Sequence, residues 1–243
     1  MLRKIINAFL SIIAYTFIYS FTAIVVLITI VLITLDQKSI LNALLKLWSK
    51  VIFLILGKNI KITGAEHIHR GDKYILIANH TSIFDIPAIM SYFPDIAWFG
   101  KEYLLRIPLF GRALKMLGFI PVRTSGLRNA KDILNQVSGQ TAGKSIAIFP
   151  EGTRTVDGAL LPFYKGFIRV MQASKMDIIP VTLNGFFELK PKTTWIIDFG
   201  AEPEIVIHER IKYKTLINKP DEEIIDLTRR CIASGLNQTY KPL

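Results

Sequence analysis

The 243-residue sequence contains one cysteine, Cys231, and four histidines. A single thiol closes no internal disulfide and builds no zinc cluster, so the body of the chain suits a reducing compartment. Acids are also scarce, 19 Asp and Glu against 30 Lys and Arg, which leaves a formal net charge of +11. From residue 5 to residue 35 there is no charge of either sign over 31 positions. There is no Gly-x-Ser-x-Gly elbow, internal repeat, low-complexity tract or long flexible linker. These absences exclude a disulfide scaffold, a solenoid and a serine hydrolase built on that elbow.

The uncharged stretch exceeds the roughly 20 residues a helix needs to cross a hydrocarbon core, and it predicts a membrane anchor. A signal peptide also starts with basic residues such as Arg3 and Lys4, but its apolar region is shorter, and no small-residue cleavage pattern precedes Asp36. Residues 40–56 are apolar but carry Lys46 and Lys50 four apart, on one helical face. They predict an interfacial or poorly spanning helix. Two such helices joined near Asp36 and Lys38 fit either a hairpin dipping into one leaflet or a span followed by a surface helix. Beyond Arg3 and Lys4 the chain still carries +9. Such charge suits an anionic bilayer, where each nearby Lys or Arg contributes roughly 1 kcal/mol. Nucleic acid is the rival partner for a basic chain, but no nucleic-acid motif is present, so none is expected.

After Gly57 short apolar runs alternate with amphipathic stretches, which predicts one α/β domain over 58–243 behind anchoring helices over 1–57. Strands are expected at 74–78, 97–99, 119–122, 145–149, 178–183, 195–199 and 205–207. Helices are expected at 86–92, 109–117, 127–137, 166–173 and 222–236.

The run Tyr-Ile-Leu-Ile-Ala-Asn-His-Thr-Ser-Ile-Phe-Asp-Ile-Pro at 74–87 is an apolar strand that ends in polar residues and opens a helix. Asp85 is placed to cap that helix, and Pro87 fits its first turn. His80 and Asp85 lie five apart, on different faces of a continuous helix but able to meet in a strand-to-helix turn. A histidine oriented by a carboxylate is a general base for a hydroxyl. By itself the pair fits a capped turn equally well. His67, His69 and His208 match no motif and read as surface residues, and no metal-ligand spacing is visible.

Asn79-His80-Thr81-Ser82-Ile83-Phe84-Asp85 together with Phe149-Pro150-Glu151-Gly152-Thr153-Arg154 resembles the 1-acylglycerol-3-phosphate acyltransferase family, within the wider glycerolipid acyltransferases. Gly118-Phe119-Ile120-Pro121-Val122-Arg123 and Ile179-Pro180-Val181-Thr182 extend the likeness in the family's order, across about residues 58–210. The resemblance implies a mixed β-sheet flanked by helices, as in glycerol-3-phosphate acyltransferases. It implies transfer of an acyl group from acyl-CoA or acyl-carrier protein to the sn-2 hydroxyl of lysophosphatidic acid, with phosphatidic acid as product for phospholipid biosynthesis. No metal or cofactor is needed.

The residues carry the chemistry as follows. His80 and Asp85 are the catalytic pair. The strand before Phe149 delivers Glu151, Gly152, Thr153 and Arg154 to its end, where binding sites of open α/β sheets gather. Arg154 offers a planar fork suited to phosphate and Gly152 permits close backbone approach; the resemblance implies that Arg154 binds the acceptor's phosphate and that Glu151 positions the acceptor. An ion pair of Arg154 with Asp157 or Glu151 is the alternative. Arg123 is a second phosphate ligand by resemblance, with Thr124 where many relatives carry another basic residue. Lys101, in Gly-Lys-Glu-Tyr-Leu, is placed to steady developing negative charge, and Lys165 is a weaker candidate. Arg106, Arg112 and Lys115 face headgroups or solvent. A related acyltransferase with glycerol 3-phosphate or another lysolipid as acceptor, a lipid hydrolase and a silent scaffold remain open. The Lys38, Lys46, Lys50, Lys58 and Lys61 flank places the body on the cytosolic face.

Overall fold

A computed structural model describes residues 2–69, 71–122 and 143–237. The fold is α/β, a seven-stranded sheet with helices on both faces. The chain opens with α1 (Leu2–Thr34) and α2 (Lys38–Ile55), then runs β1 (Lys61–Thr63), β2 (Tyr74–Ala78), α3 (Asp85–Tyr92), β3 (Ile96–Lys101), α4 (Phe110–Met116) and β4 (Ile120–Val122). It continues with β5 (Ser145–Ile148), α5 (Gly166–Ser174), β6 (Asp177–Asn184), α6 (Phe186–Leu189), β7 (Glu204–Ile207), α7 (Tyr213–Leu216) and α8 (Asp221–Ser234). The spatial order is β1-β7-β6-β2-β5-β3-β4, and every pairing is parallel except β6 with β7.

The central strands are mostly apolar because both faces are covered. All five residues of β2 and all four of β5 are buried. The pleat sends Leu76 and Ala78 toward Ile52, Phe53 and Ile89, and it sends Ile75 and Ile77 toward Phe167, Met171 and Ile232. Pro180 sits inside β6, where a missing N–H would normally break the ladder. Its carbonyl accepts from His208 N–H at 3.0 Å, at the point where the chain leaves β7, so the absent donor falls in a gap of the pairing. His208 is half-buried, unlike the surface residue expected, and hydrogen-bonds Thr182 Oγ1 at 2.7 Å.

The helix α1 is long and apolar enough to cross a membrane. Phe9, Phe17, Ile24 and Val31 are exposed along one side, while Ser11, Ala14, Ile18, Val25 and Thr29 face inward at spacings of three to seven. Trp48 Nε1–H donates to Thr22 Oγ1 at 3.0 Å, pinning α2 to α1 across the turn at Asp36. Asp36 takes φ +51°, a left-handed conformation that Asp tolerates.

The expected strand at 195–199 does not form. Two of its backbone partners come from α1 instead: Tyr15 Oη–H donates to the Trp195 carbonyl at 2.8 Å, and Ile197 N–H donates to Ser11 Oγ at 2.8 Å. Arg3 and Asn7 donate to the Asp198 carboxylate at 2.8 and 3.3 Å. Residues 3, 7, 11 and 15 lie four apart on one face of α1, so a polar stripe satisfies what a neighbouring strand would have satisfied. The short β1 occupies the sheet edge beside β7 and was missed because three residues carry no periodic signal. The expected helix at 127–137 lies outside the described residues.

Candidate active site

The strands β2, β5 and β6 are mutually parallel, so their carboxyl ends share one edge of the sheet. Asn79 fixes that edge. Its Nδ2 donates to the Leu183 carbonyl at 3.0 Å and its Oδ1 accepts Leu183 N–H at 2.8 Å, which ties the end of β2 to β6. His80 follows immediately.

Asp85 does not cap α3; it is the first residue of the helix, and no side-chain cap is made. Its carboxylate turns back into the preceding loop. Oδ2 lies 2.8 Å from His80 Nδ1 and also accepts Thr81 N–H at 2.7 Å and Ser82 N–H at 2.8 Å. The group is fully buried, so an ionised carboxylate there depends on these donors. A carboxylate only accepts, which assigns the proton to Nδ1 and leaves Nε2 with its lone pair. The His80 side chain is 16% exposed and its ring stacks on Phe149 with centroids 3.9 Å apart and planes 10° from parallel. Phe149 in turn stacks on Trp98 at 5.6 Å.

The loop after β5 grips the backbone of the same histidine. Glu151 Oε1 accepts His80 N–H at 2.8 Å, its Oε2 accepts Leu161 N–H at 2.9 Å, and Thr155 N–H donates to the His80 carbonyl at 3.0 Å. Glu151 is buried, and burial pushes its carboxyl up to about 7, against the two N–H donors and assisted by the negative charge of Asp85. Gly152 takes φ +65°, a conformation suited to glycine at this turn.

Arg154 is half-buried near Tyr15 of α1 and Lys190, both of which feel its charge. Among the described residues no carboxylate pairs with it: Asp157 accepts from Thr155 Oγ1 and Ala159 N–H, and Glu151 is occupied as described. Thr153 Oγ1 accepts from Lys192 Nζ at 3.1 Å. Ser82 Oγ–H donates to the Lys190 carbonyl at 2.9 Å, and Thr81 Oγ1 faces Asp85 at 3.5 Å.

Lys101 is exposed at the end of β3, two strands from β2, and makes no hydrogen bond to the pair among the described residues. Lys165 pairs with Asp221 and Glu222. Arg123 lies outside the described residues. The reading from sequence missed Asn79 as a clamp, Phe149 as the platform under the ring, and Lys190 and Lys192 beside Arg154. The first two sat in quoted motifs; the lysines belong to none. An open hollow of about 410 Å³ between Glu66, His67, Asp177 and Arg210 lies at the other end of the sheet, since Asp177 pairs with the first residue of β2, and is unrelated to the pair.

The sequence profile of the acyltransferase family matches residues 59–184. The chain belongs to the acyltransferase family. Among its relatives, a 1-acyl-sn-glycerol-3-phosphate acyltransferase of Borreliella burgdorferi is 30% identical over 192 residues, covering 77% of this chain and 75% of that one. A chloroplastic 1-acyl-sn-glycerol-3-phosphate acyltransferase of Brassica napus is 28% identical over 194 residues, covering 79% of this chain and 55% of the relative. The chain spans about half the length of that relative and of its chloroplastic counterpart in Arabidopsis thaliana, of which 52% is covered. The crystal structure of the 1-acyl-sn-glycerophosphate acyltransferase of Thermotoga maritima superposes with a TM-score of 0.80 at 24% identity, over 96% of this chain and 95% of that one. That likeness establishes the acyltransferase fold, helical N-terminus included.

Proposed function

We propose that this member of the acyltransferase family acylates the sn-2 hydroxyl of 1-acyl-glycerol-3-phosphate, with acyl-CoA or acyl-carrier protein as donor, and forms phosphatidic acid for phospholipid biosynthesis. The observation that carries the proposal is the hydrogen bond from His80 Nδ1 to Asp85 Oδ2 at 2.8 Å, on a turn tied through Thr155 N–H to the loop that carries Arg154, which no carboxylate pairs among the described residues. It leaves Nε2 as a base, and the adjoining loop supplies a guanidinium suited to phosphate.

In this mechanism Nε2 takes the acceptor's hydroxyl proton as its oxygen attacks the thioester carbonyl, and buried Asp85 stabilises the imidazolium. Collapse of the tetrahedral intermediate breaks the carbon–sulfur bond, and the imidazolium returns its proton to the departing thiolate. The donor thiol leaves free, and neither a covalent acyl-enzyme nor a cofactor takes part. Ser82 and Thr81 are not nucleophiles here, since their hydroxyls are turned to Lys190 and Asp85. Glu151, buried with an N–H on each oxygen, positions the acceptor indirectly by bracing the His80 backbone. Arg154 and Thr153 border the acceptor's phosphate, Gly152 shapes the turn, and Arg123 and Lys101 remain further candidates for the developing charge.

In this reading residues 1–57 hold the body at the bilayer through the outward apolar face of α1, and the basic bias of the lysines that follow supports a cytosolic side for residues 58–243. Both substrates carry acyl chains, so a site held at the membrane surface meets them at high local concentration. Purified protein in liposomes, offered lysophosphatidate, glycerol 3-phosphate and other lysolipids with acyl-CoA and acyl-carrier-protein donors, tests the assignment. Phosphatidic acid from lysophosphatidate is the expected product. Preferential use of glycerol 3-phosphate would reassign the acceptor, and thiol release without any acceptor would mark a hydrolase.

A further inference from the structure

Several cations of the catalytic body find carboxylates: Lys61 with Glu204, Lys73 and Lys144 with Asp95, Lys165 with Asp221 and Glu222, Arg210 with Asp72, and others, such as Lys58 and Arg229, donate to backbone carbonyls away from the catalytic pair. Arg154, Lys190 and Lys192 have no carboxylate partner among the described residues, although they converge on the turn that carries the catalytic pair. Backbone contacts fix where the segment lies, and Lys190 Nζ itself donates to the Pro191 carbonyl at 3.1 Å. Ser82 holds the Lys190 carbonyl at 2.9 Å, Lys190 N–H donates to the Phe186 carbonyl at 3.1 Å, and Pro191 stiffens the link to Lys192. Lys192 Nζ reaches Thr153 Oγ1 at 3.1 Å, one residue before Arg154. Burial, and then the charge of Arg154, lower the Lys190 ammonium below its ordinary value, which is the signature of like charges held together in a partly desolvated place. A dianion between them would reverse that cost.

We propose that Lys190 and Lys192 join Arg154 in an anion subsite that takes the phosphate monoester of a substrate. The proposal rests on the acyltransferase reading above and deepens it, since it assigns phosphate recognition to a loop after β6 that carries no motif. The guanidinium supplies a two-pronged contact and the ammonium groups act as point charges, while the Thr153 hydroxyl orients Lys192. Phosphate monoesters are found on lysophosphatidate and on the ribose of coenzyme A, and the same chemistry would recognise either.

The test uses Lys190→Met, Lys192→Met and the double variant in neutral detergent micelles, where loss of charge does not alter membrane binding. Methionine keeps the apolar stem, and thermal unfolding checks that the fold is retained. The double variant is expected to raise one substrate's KM by about tenfold or more while kcat changes much less. A rise confined to lysophosphatidate assigns the acceptor's phosphate. A rise confined to acyl-CoA, lost when dephospho-CoA thioesters are used, assigns the donor's phosphate. Inorganic phosphate should inhibit the wild type competitively and the double variant weakly. Unchanged KM for both substrates together with unchanged phosphate inhibition overturns the subsite. Should the wild type transfer no acyl group, the acyltransferase reading fails by itself, and calorimetric binding of lysophosphatidate to wild type and double variant still decides the subsite: equal affinity overturns it.

Discussion

Glu151 holds the backbone N–H of His80 at 2.8 Å with one carboxylate oxygen and the N–H of Leu161 at 2.9 Å with the other. The glutamate of the Phe-Pro-Glu-Gly-Thr-Arg run therefore braces the backbone of His80. Its carboxylate is buried and each oxygen already holds an N–H, the arrangement expected of a positioning residue. Glu151→Gln presents an amide N–H to one of these donors and leaves that donor unsatisfied, a defect costing about 1–3 kcal/mol when buried. We expect kcat to fall with little change in acceptor KM; a raised KM at unchanged kcat would return Glu151 to direct acceptor contact.

The same carboxylate sets a pH dependence. Its folded value is about 7, above the ordinary 4.5, so between those values the folded state binds a proton that the unfolded chain has released. Stability must then fall as pH rises from about 4.5 to about 7, by at most roughly 3 kcal/mol from this group. Chemical denaturation of wild type and Glu151→Gln across that window measures the term as a difference. A wild-type advantage that grows with rising pH would contradict the assignment.

Asp85→Asn removes the charge from an atom that accepts from His80 Nδ1 and two backbone N–H groups. Loss of tautomer control and of imidazolium stabilisation should reduce kcat on the order of 10³- to 10⁴-fold. Loosening of the 80–85 turn should lower stability by about 1–3 kcal/mol, read from urea unfolding. Near-normal turnover would mean that another group orients the base.

The residues 74–87 and 145–154 were legible in the sequence because fully buried parallel strands read as unbroken apolar runs, and polar motifs then mark their ends. The proximity of His80 and Asp85 was legible too. What Asp85 does was not, since a spacing of five reports nearness and not that two backbone N–H groups share the carboxylate. Residues 195–199 imitate a strand in composition, and only the four-residue spacing of Arg3, Asn7, Ser11 and Tyr15 in a distant helix hinted that their partners lie elsewhere. Lys190 and Lys192 follow no pattern of their own; it is the fold that sets them beside Arg154.

Because α1 packs Ala14 and Ile18 into the same core as β2, deleting it would open that core whatever its part in membrane attachment. Membrane attachment is better tested by placing serine at Phe9, Phe17, Ile24 and Val31, all exposed. Sedimentation with anionic liposomes should drop sharply while circular dichroism stays that of the wild type. Undiminished sedimentation would shift the anchor to α2 and the basic segment at 101–115.

The central claim is that His80 moves the acceptor's proton during acyl transfer, and transfer of a labelled acyl group from a thioester to lysophosphatidate, compared between wild type and His80→Ala, tests it most directly. The wild type should form labelled phosphatidic acid only when the acceptor is present, and a folded His80→Ala should form essentially none. Labelled product from His80→Ala at a rate near that of the wild type would contradict it.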